Sequence, residues 1–375
     1  MKILLIVNSD IGRGYAIGFR FGKIAEELGR QNYGFSILAR ANYSSLKVGT
    51  PFYKNYLARF FNALRIYLFP FLDFRKFDVL FFDKFILRRL KRMTENFDLV
   101  HFGDYLPRSI EYLKKKGIKI FLDIPIGHHQ YALHLKEMGF EFDSEVGDVP
   151  IYLNYSIKLA DVLLIPSEFV RRTLEMAGFQ DKNMAIVPFG ADLPKGFSAD
   201  DIRNRSLSPL KFVFSGNVNY RKGTNFLLEA WHRTNLQDAE LILCGRIYKK
   251  IRKEIKKYKQ DNIKFLGQVI AKKYMRDVNV FVLPSLLEGS AKSVYEAMSF
   301  GLPSIVTFNA GSIIEDGKTG FIVPIGDTKV LADKLAYFSQ NHSQIIEMGI
   351  NAYNKIKDYS WSDYAKKVII EYKRL

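Results

Sequence analysis

The sequence predicts an α/β protein of two doubly wound halves, each a parallel sheet covered by helices on both faces. Three observations carry this. Short continuous apolar runs alternate with stretches of helical length along the whole chain, the pattern of strands buried on both faces. These runs fall into two sets of six, divided by a polar segment. And 375 residues exceed what one core ordinarily holds, so two domains of roughly 150–200 residues are expected.

The first set is KILLIV (2–7), FSIL (35–38), DLVHF (98–102), IKIFLDI (118–124), DVLLIP (161–166) and NMAIVP (183–188). The opening MKILLIVNSD has only five apolar residues after Lys2 before polarity returns. A secretory leader needs a longer apolar core, so this is expected as a buried first strand. The segment ADLPKGFSADDIRNRSLSP (191–209) is polar, carries Gly, Pro and Ser, and has no strong period; it is expected as the linker between a first domain at 1–190 and a second from 210. The second set is LKFVFSG (210–216), AELILCG (239–245), NIKFLG (262–267), VNVFVLP (278–284), LPSIVT (302–307) and GFIVP (320–324). Two such domains leave a cleft between the carboxyl ends of their sheets, where ligands of these folds bind.

Composition narrows the partners. One cysteine, Cys244, excludes a disulfide framework and a cysteine metal site, and suits the cytosol. No convincing metal-ligand cluster is visible. The net charge of +17 invites phosphates, nucleic acid or anionic lipid. Eleven Lys/Arg against three Asp lie between Ala41 and Arg92, where aromatics also crowd. Charges interrupt this segment too often for a membrane span, but residues 54–92 suit a surface resting on an anionic membrane. The alternative is a pair of core-packing helices with a solvated basic face. In RIYKKIRKEIKKYK (246–259), Ile247, Ile251, Ile255 and Tyr258 have helical spacing, expected as a helix with one exposed basic face.

Chemistry is expected in the loops that follow strands. After the first strand, NSDIGRGYAIG presents Gly12, Gly14 and Gly18, a turn that lets backbone N–H groups approach an anion. It also resembles a dinucleotide fingerprint, which keeps an NADP-dependent oxidoreductase in play. That reading wants an acidic residue after the second strand, where the sequence has Arg40 instead, a residue that a 2′-phosphate could use. After LKFVFSG, the turn GNVNYRKG sets Arg221 and Lys222 just before an amphipathic helix, suited to a pyrophosphate.

The most informative loop is EGSAKSVYE (288–296). It follows a strand, and helix formers run from Ala291 to Phe300 before Gly301-Leu302-Pro303 stops them. Unpaired N–H groups near Ser290 to Ser293 make an anion site. A phosphate there would repel Glu288 and Glu296, so the carboxylates should hold paired hydroxyls instead, as an acidic residue holds ribose. A phosphate-binding helix start between two diol-binding carboxylates describes a nucleotide-sugar. The bland alternative is that Glu288 caps the helix and Glu296 lies on the surface.

The segment PSLLEGSAKSVYEAMSFGLPSIVTFNAGSIIEDGKTGFIVPIGD (284–327) resembles the donor-site signature E-x(7)-E of the large retaining glycosyltransferase family of the GT-B fold, the family 4 or "glycosyl transferases group 1" type. GNVNYRKG is similar to its phosphate-binding turn, ADVLLIPSEFVRRTLEMAGF (160–179) to the end of its first domain, and NIKFLGQVIAKKYMRDVNVFVLPS (262–285) to the lead into the signature. The closing YSWSDYAKKVIIEYKRL (359–375) resembles the helix that crosses back to the first domain, leaving 210–358 for the donor-binding domain.

The resemblance implies a retaining, metal-independent hexosyltransferase that needs no cofactor. It would move a sugar from a UDP- or GDP-type donor to a glycan or lipid-linked acceptor in polysaccharide or glycoconjugate biosynthesis. Cytoplasmic placement on the inner face of the membrane would follow, with no nucleic-acid partner. Glu296 would hold ribose hydroxyls and Glu288 those of the donor sugar. Backbone groups of Gly289, Ser290, Ala291 and Lys292, with Arg221, Lys222 and the turn at Gly216-Asn217, would bind phosphate, and Gly12 and Gly14 would face it from the other domain. The base would sit near Gly245 and Gln268, and His128 or the adjacent His129 would be the cleft histidine. Asn217 stands where the family often has an arginine, which leaves room for a non-catalytic binding or regulatory subunit.

Overall fold

The computed structural model describes residues 1–12, 17–46, 74–142 and 150–374, with side chains at 74–77 and 150–151 excepted. Gly14 and residues 47–73 of the basic aromatic segment lie outside them. All twelve expected strands form, in two six-stranded sheets whose pairings are parallel throughout.

The first sheet comprises β1 (Lys2–Ile11), β2 (Gly34–Asn42), β3 (Leu99–Phe102), β4 (Lys119–Asp123), β5 (Val162–Ile165) and β6 (Asn183–Ile186), in the order β2-β1-β3-β4-β5-β6. Alternate residues of each strand leave opposite faces. Leu4, Ile6, Val100, Phe102, Ile120 and Leu122 enter one core, while Ile3, Leu5, Val7, Leu99 and Phe121 enter the other. The second sheet, of β7 (Leu210–Ser215), β8 (Ala239–Cys244), β9 (Ile263–Gly267), β10 (Val280–Leu283), β11 (Ser304–Thr307) and β12 (Gly320–Val323), is ordered β12-β11-β10-β7-β8-β9. Each sheet reverses its direction of growth once, between β1 and β3 in the first and between β7 and β10 in the second. A crevice opens outside the carboxyl ends of the strands at each such reversal.

On the first half, α1 (Ile17–Arg30) packs against α13 (Trp361–Lys373), the last helix of the chain. Trp361, Tyr364, Val368 and Tyr372 complete the core that Leu5 and Phe121 begin. The buried guanidinium of Arg20 ties the two helices to the sheet. It lies 2.7 Å from Asp123 at the end of β4, donates to the Tyr364 hydroxyl at 3.3 Å, and stacks on Phe189 at 4.5 Å. The chain passes between halves twice, side by side: the Ala191 N–H donates to the Tyr359 carbonyl, and a Cβ on Gly190 would lie 2.8 Å from the Ser360 backbone. The segment 191–209 is less free than its composition suggests. It contains a short helix, Ala199–Arg203, closed by a Ser198–Asp201 capping box, and it buries Phe197 and Ile202 in the second core.

One expectation changes. The stretch 246–259 is not one helix; only Arg252–Lys257 is helical, because Ile247 bridges to Val218, three residues past the end of β7, and straightens the chain there. In the basic segment, α2 (Phe74–Arg92) sends Val79, Phe82, Ile86 and Leu90 into the core, and its Asp83 accepts from Arg108 N, Ser109 N and Ser109 Oγ at the start of the neighbouring helix Pro107–Lys115. The other face stays exposed, with Phe81, Lys84, Arg88, Arg89, Lys91 and Arg92. No helix among the described residues is long and apolar enough to cross a membrane.

The buried imidazole of His101 on β3 meets the Tyr372 hydroxyl at 2.6 Å. Burial, reinforced by the charge of Arg20, pulls its pKa from 6.5 to about 3. Between those values the unfolded chain binds a proton there that the folded chain does not, so this contribution is complete above pH 6.5 and is lost as pH falls below it. His101→Gln should therefore lessen the fall in melting temperature between pH 6.5 and pH 4, each pH unit being worth roughly 1.4 kcal/mol per such histidine. Melting curves with equal pH slopes for variant and parent would contradict this.

Candidate functional site

The loops after β7 and β10 leave the second sheet on either side of its reversal, and they interlock. After β7, Gly216 (φ +153°) turns the chain under Lys222, whose Cε would lie 3.3 Å from a Cβ there. Gly245 at the end of β8 presses on that turn, since a Cβ on it would lie 1.7 Å from the Gly216 carbonyl oxygen. Gly223, at φ +67°, starts α8 (Thr224–Thr234) and backs onto the Pro284 carbonyl at 1.9 Å from a hypothetical Cβ. No side chain fits at these last two contacts, so the glycines let the two loops touch.

Between the loops lies one carboxylate. Glu288 Oε1 accepts from Arg221 Nη1 at 2.7 Å and Ser285 Oγ at 3.0 Å, and it pairs with Lys222 Nζ at 2.8 Å. Arg221 Nη1 also donates to the Leu287 carbonyl at 2.7 Å, and Leu286 N donates back to the Arg221 carbonyl. Burial alone would raise the Glu288 carboxyl; the ammonium of Lys222 and the guanidinium of Arg221 outweigh it and hold it below the usual carboxylate range. Burial, with Arg221 adding its repulsion, lowers the Lys222 ammonium against the pull of Glu288. The arrangement keeps both cations desolvated beside an ionised carboxylate.

The predicted helix is α10 (Lys292–Ser299). Its N-cap, Ala291, supplies no side-chain bond, so Glu288 is not a helix cap. The Ala291 N–H, one of the predicted phosphate donors, donates to the Ala310 carbonyl at 2.9 Å. Ser290 Oγ donates to the Tyr295 hydroxyl at 2.7 Å. Glu296, on the helix, pairs with Lys292 at 3.2 Å and with Lys272, from the loop after β9, at 3.6 Å. Burial lowers the Lys292 ammonium against Glu296. Asn217 Nδ2 approaches the Tyr248 hydroxyl at 3.4 Å, and Gln268 is exposed just past Gly267.

The first half seals this site from the opposite side. Leu286 and Leu287 are fully buried, and they pack not in their own half but in the first-half core with Phe169 and Ile124. A Cβ on Gly289 would lie 1.7 Å from the Pro125 carbonyl oxygen, so a glycine is required where the halves meet. Gly127 N donates to the Glu288 carbonyl at 3.1 Å, the Ser167 hydroxyl donates to the Gly289 carbonyl, and Asn309 Nδ2 donates to both the Leu286 carbonyl and the Tyr131 hydroxyl. Ser285, Ser167, Tyr131 and Asn309 were absent from the sequence reading. Only Ser285, three residues before Glu288, was within reach of a local argument.

His128 takes a different place from the one expected. It is buried and caps α4 (His129–Glu137): Nδ1 accepts from Gln130 N at 3.3 Å, so Nε2 carries the proton and donates to Asn154 Oδ1 at 2.8 Å. Burial lowers its pKa to about 4. Both ring nitrogens serve the first-half scaffold, and the half-buried His129, stacked on it at 4.2 Å, is the more open of the pair. Gly12, at φ +80°, is a turn glycine whose Cβ would meet Ser44. Arg40, which kept the nicotinamide reading open, is tied by ion pair and hydrogen bond to Asp78 and Asn8, and Asp104 accepts from Asn8 N at 2.8 Å. These four residues gather at the carboxyl ends of β1 and β3, the reversal point of the first sheet.

Residues 209–341 match the family described as Glycosyl transferases group 1. The putative colanic acid biosynthesis glycosyltransferase WcaL of Escherichia coli is 26% identical over 196 residues, which is 48% of each chain. The chain spans about half the length of the curated relatives it matches first. Among solved structures, the sucrose-phosphate synthase of Thermosynechococcus elongatus superposes with a TM-score of 0.71 over 100% of this chain and 99% of its own, at 15% identity. Anabaena HepE in complex with UDP-glucose superposes at 0.66 over the full length of both, also at 15% identity. These likenesses show the two-sheet GT-B fold.

The contact at Gly289 gives a test of the joint. Gly289→Ala should lower the denaturant midpoint by an amount equivalent to about 2 kcal/mol, within the range of overpacked contacts. Gly29→Ala, in α1 with its nearest outside neighbour 3.8 Å away, should be neutral or slightly stabilising. Equal midpoints for the two variants would show that the halves do not meet at Gly289.

Proposed function

We propose, from the premise that residues 209–341 form a glycosyl transferases group 1 domain in a chain of GT-B fold, that the protein is a retaining glycosyltransferase. It takes a hexosyl group from a UDP- or GDP-type sugar and delivers it to a glycan or lipid-linked acceptor in polysaccharide or glycoconjugate biosynthesis. The observation that carries this reading is the meeting of Arg221, Lys222 and Glu288 at the reversal of the second sheet, with Glu296 on the helix that follows. The name of WcaL and the UDP-glucose bound to HepE support the same class of donor and product.

Cleavage of a sugar–phosphate bond leaves negative charge on the departing diphosphate and positive charge on the sugar. Lys222 and Arg221, shielded from water, stabilise the first charge without requiring a divalent metal or any cofactor. The acceptor oxygen attacks from the face the diphosphate leaves, and the departing phosphate takes its proton. Glu296 holds ribose and Glu288 the donor sugar. The acceptor approaches from the first sheet's reversal point, where Asn8, Arg40, Asp78 and Asp104 gather. Lys222→Ala and Glu296→Ala should each reduce turnover about 100-fold or more while melting temperatures stay within a few degrees. Turnover would be measured with the best binder from a thermal-shift screen of UDP-, GDP- and dTDP-sugars. Full activity in both variants would end the reading.

The exposed face of α2 supports a resting place on an anionic membrane at its cytoplasmic side, with Phe81 beside Lys84, Arg88, Lys91 and Arg92. At roughly 1 kcal/mol per basic residue near such a surface, replacing Arg88, Lys91 and Arg92 with serine should weaken co-sedimentation with phosphatidylserine vesicles by about 100-fold. Unchanged co-sedimentation would remove the membrane from the account.

A further inference from the structure

The two cations assigned to the diphosphate already have an anionic partner within the chain itself. A single oxygen of Glu288 lies 2.7 Å from Arg221 Nη1 and 2.8 Å from Lys222 Nζ, with the Ser285 hydroxyl at 3.0 Å. Only about a tenth of the Lys222 and Glu288 side chains is exposed, so water does little to screen them. Two cations and one carboxylate leave this centre with one net positive charge. A diphosphate brings at least two negative charges to the same ammonium. A carboxylate and a phosphate cannot both stay at hydrogen-bond distance from Lys222 Nζ without strong mutual repulsion in such a shielded place.

The loop is built so that the side chain, rather than the backbone, can yield. Glu288 N donates to the Asn309 carbonyl and its own carbonyl accepts from Gly127 N, so the main chain is held from both halves. Leu287 on one side is fully buried, and Gly289 on the other is pinned against Pro125. The carboxylate alone is held by charges that a better anion can take over.

From this geometry we propose that Glu288 is the resident counter-ion of the phosphate clamp, and that the donor's diphosphate displaces it from Lys222, turning the released carboxylate toward the donor sugar. The proposal rests on the donor reading above and adds an exchange step to it: diphosphate binding and presentation of the carboxylate become one event. It assigns Glu288 two opposite effects, since the residue opposes binding of the phosphates and assists binding of the sugar.

Inorganic pyrophosphate separates these effects because it has neither base nor sugar. Calorimetric titration of pyrophosphate into the full chain should show Glu288→Gln binding at least fivefold tighter than the parent, with a steeper loss of affinity as salt rises. Glu288→Asp keeps the charge on a shorter arm, should bind with intermediate affinity, and carries the test if the glutamine variant does not melt cooperatively. Release of nucleotide from the donor sugar should fall in both. Equal or weaker pyrophosphate binding in the two variants would overturn the exchange, as would a parent chain that binds no pyrophosphate at millimolar concentration. The underlying donor reading fails separately, if Lys222→Ala binds pyrophosphate, UDP and GDP as tightly as the parent.

Discussion

One oxygen atom, Glu288 Oε1, is shared by Lys222, Arg221 and Ser285, and the architecture of the site follows from that sharing. The partners come from loops that leave adjacent strands of the second sheet in opposite directions, so they can meet only at the sheet's reversal. An ion left with no partner in a water-poor place costs several kcal/mol, and here the carboxylate has two, so that without Lys222 it would still be paired with Arg221. The glycines at 223 and 245 remove the side chains that would keep the loops apart.

The same loop joins the two halves. Leu286 and Leu287 lie in the first-half core, each worth about 1.5–3 kcal/mol when fully buried. An exposed cross-half ion pair such as Lys253–Glu141 is screened by water and adds little by comparison. The apolar seat therefore sets how the halves meet, and the carboxylate between its two cations is placed by it. The proposed donor site and the contact between the halves share residues 285–290, so a change at either should be felt by the other. The C-terminal helix closes the arrangement from the far side through Tyr364 on Arg20 and Tyr372 on His101.

The strands were legible because burial on both faces leaves unbroken apolar runs; all twelve appear where the runs stand. The succession of strand, loop and helix put Arg221, Lys222 and Glu288 on loops after strands, and the structure brings these three together, while Glu296 pairs with Lys272 and Lys292 on the helix that follows. What spacing could not show is where side chains travel. Leu286 and Leu287 look like an apolar loop of the second half, yet their neighbours lie more than a hundred residues earlier. His128 follows a strand end, as a cleft residue would, but its ring turns inward to cap the next helix and bond Asn154. The isoleucines at 247, 251 and 255 keep helical spacing, but the bridge to Val218 claims the first of them. Each of these departures comes from a partner distant in sequence.

The central claim is that the reversal of the second sheet is the donor site and that Glu288 changes partner there. A crystal structure of the chain with a bound nucleotide-diphosphate sugar tests it most directly. The account predicts a phosphate oxygen within hydrogen-bond distance of Lys222 Nζ, ribose hydroxyls on Glu296, and Glu288 Oε1 moved away from Lys222 onto a sugar hydroxyl. A nucleotide seated instead on the Gly12 turn, with Glu288 still bridging Lys222 and Arg221, would contradict it.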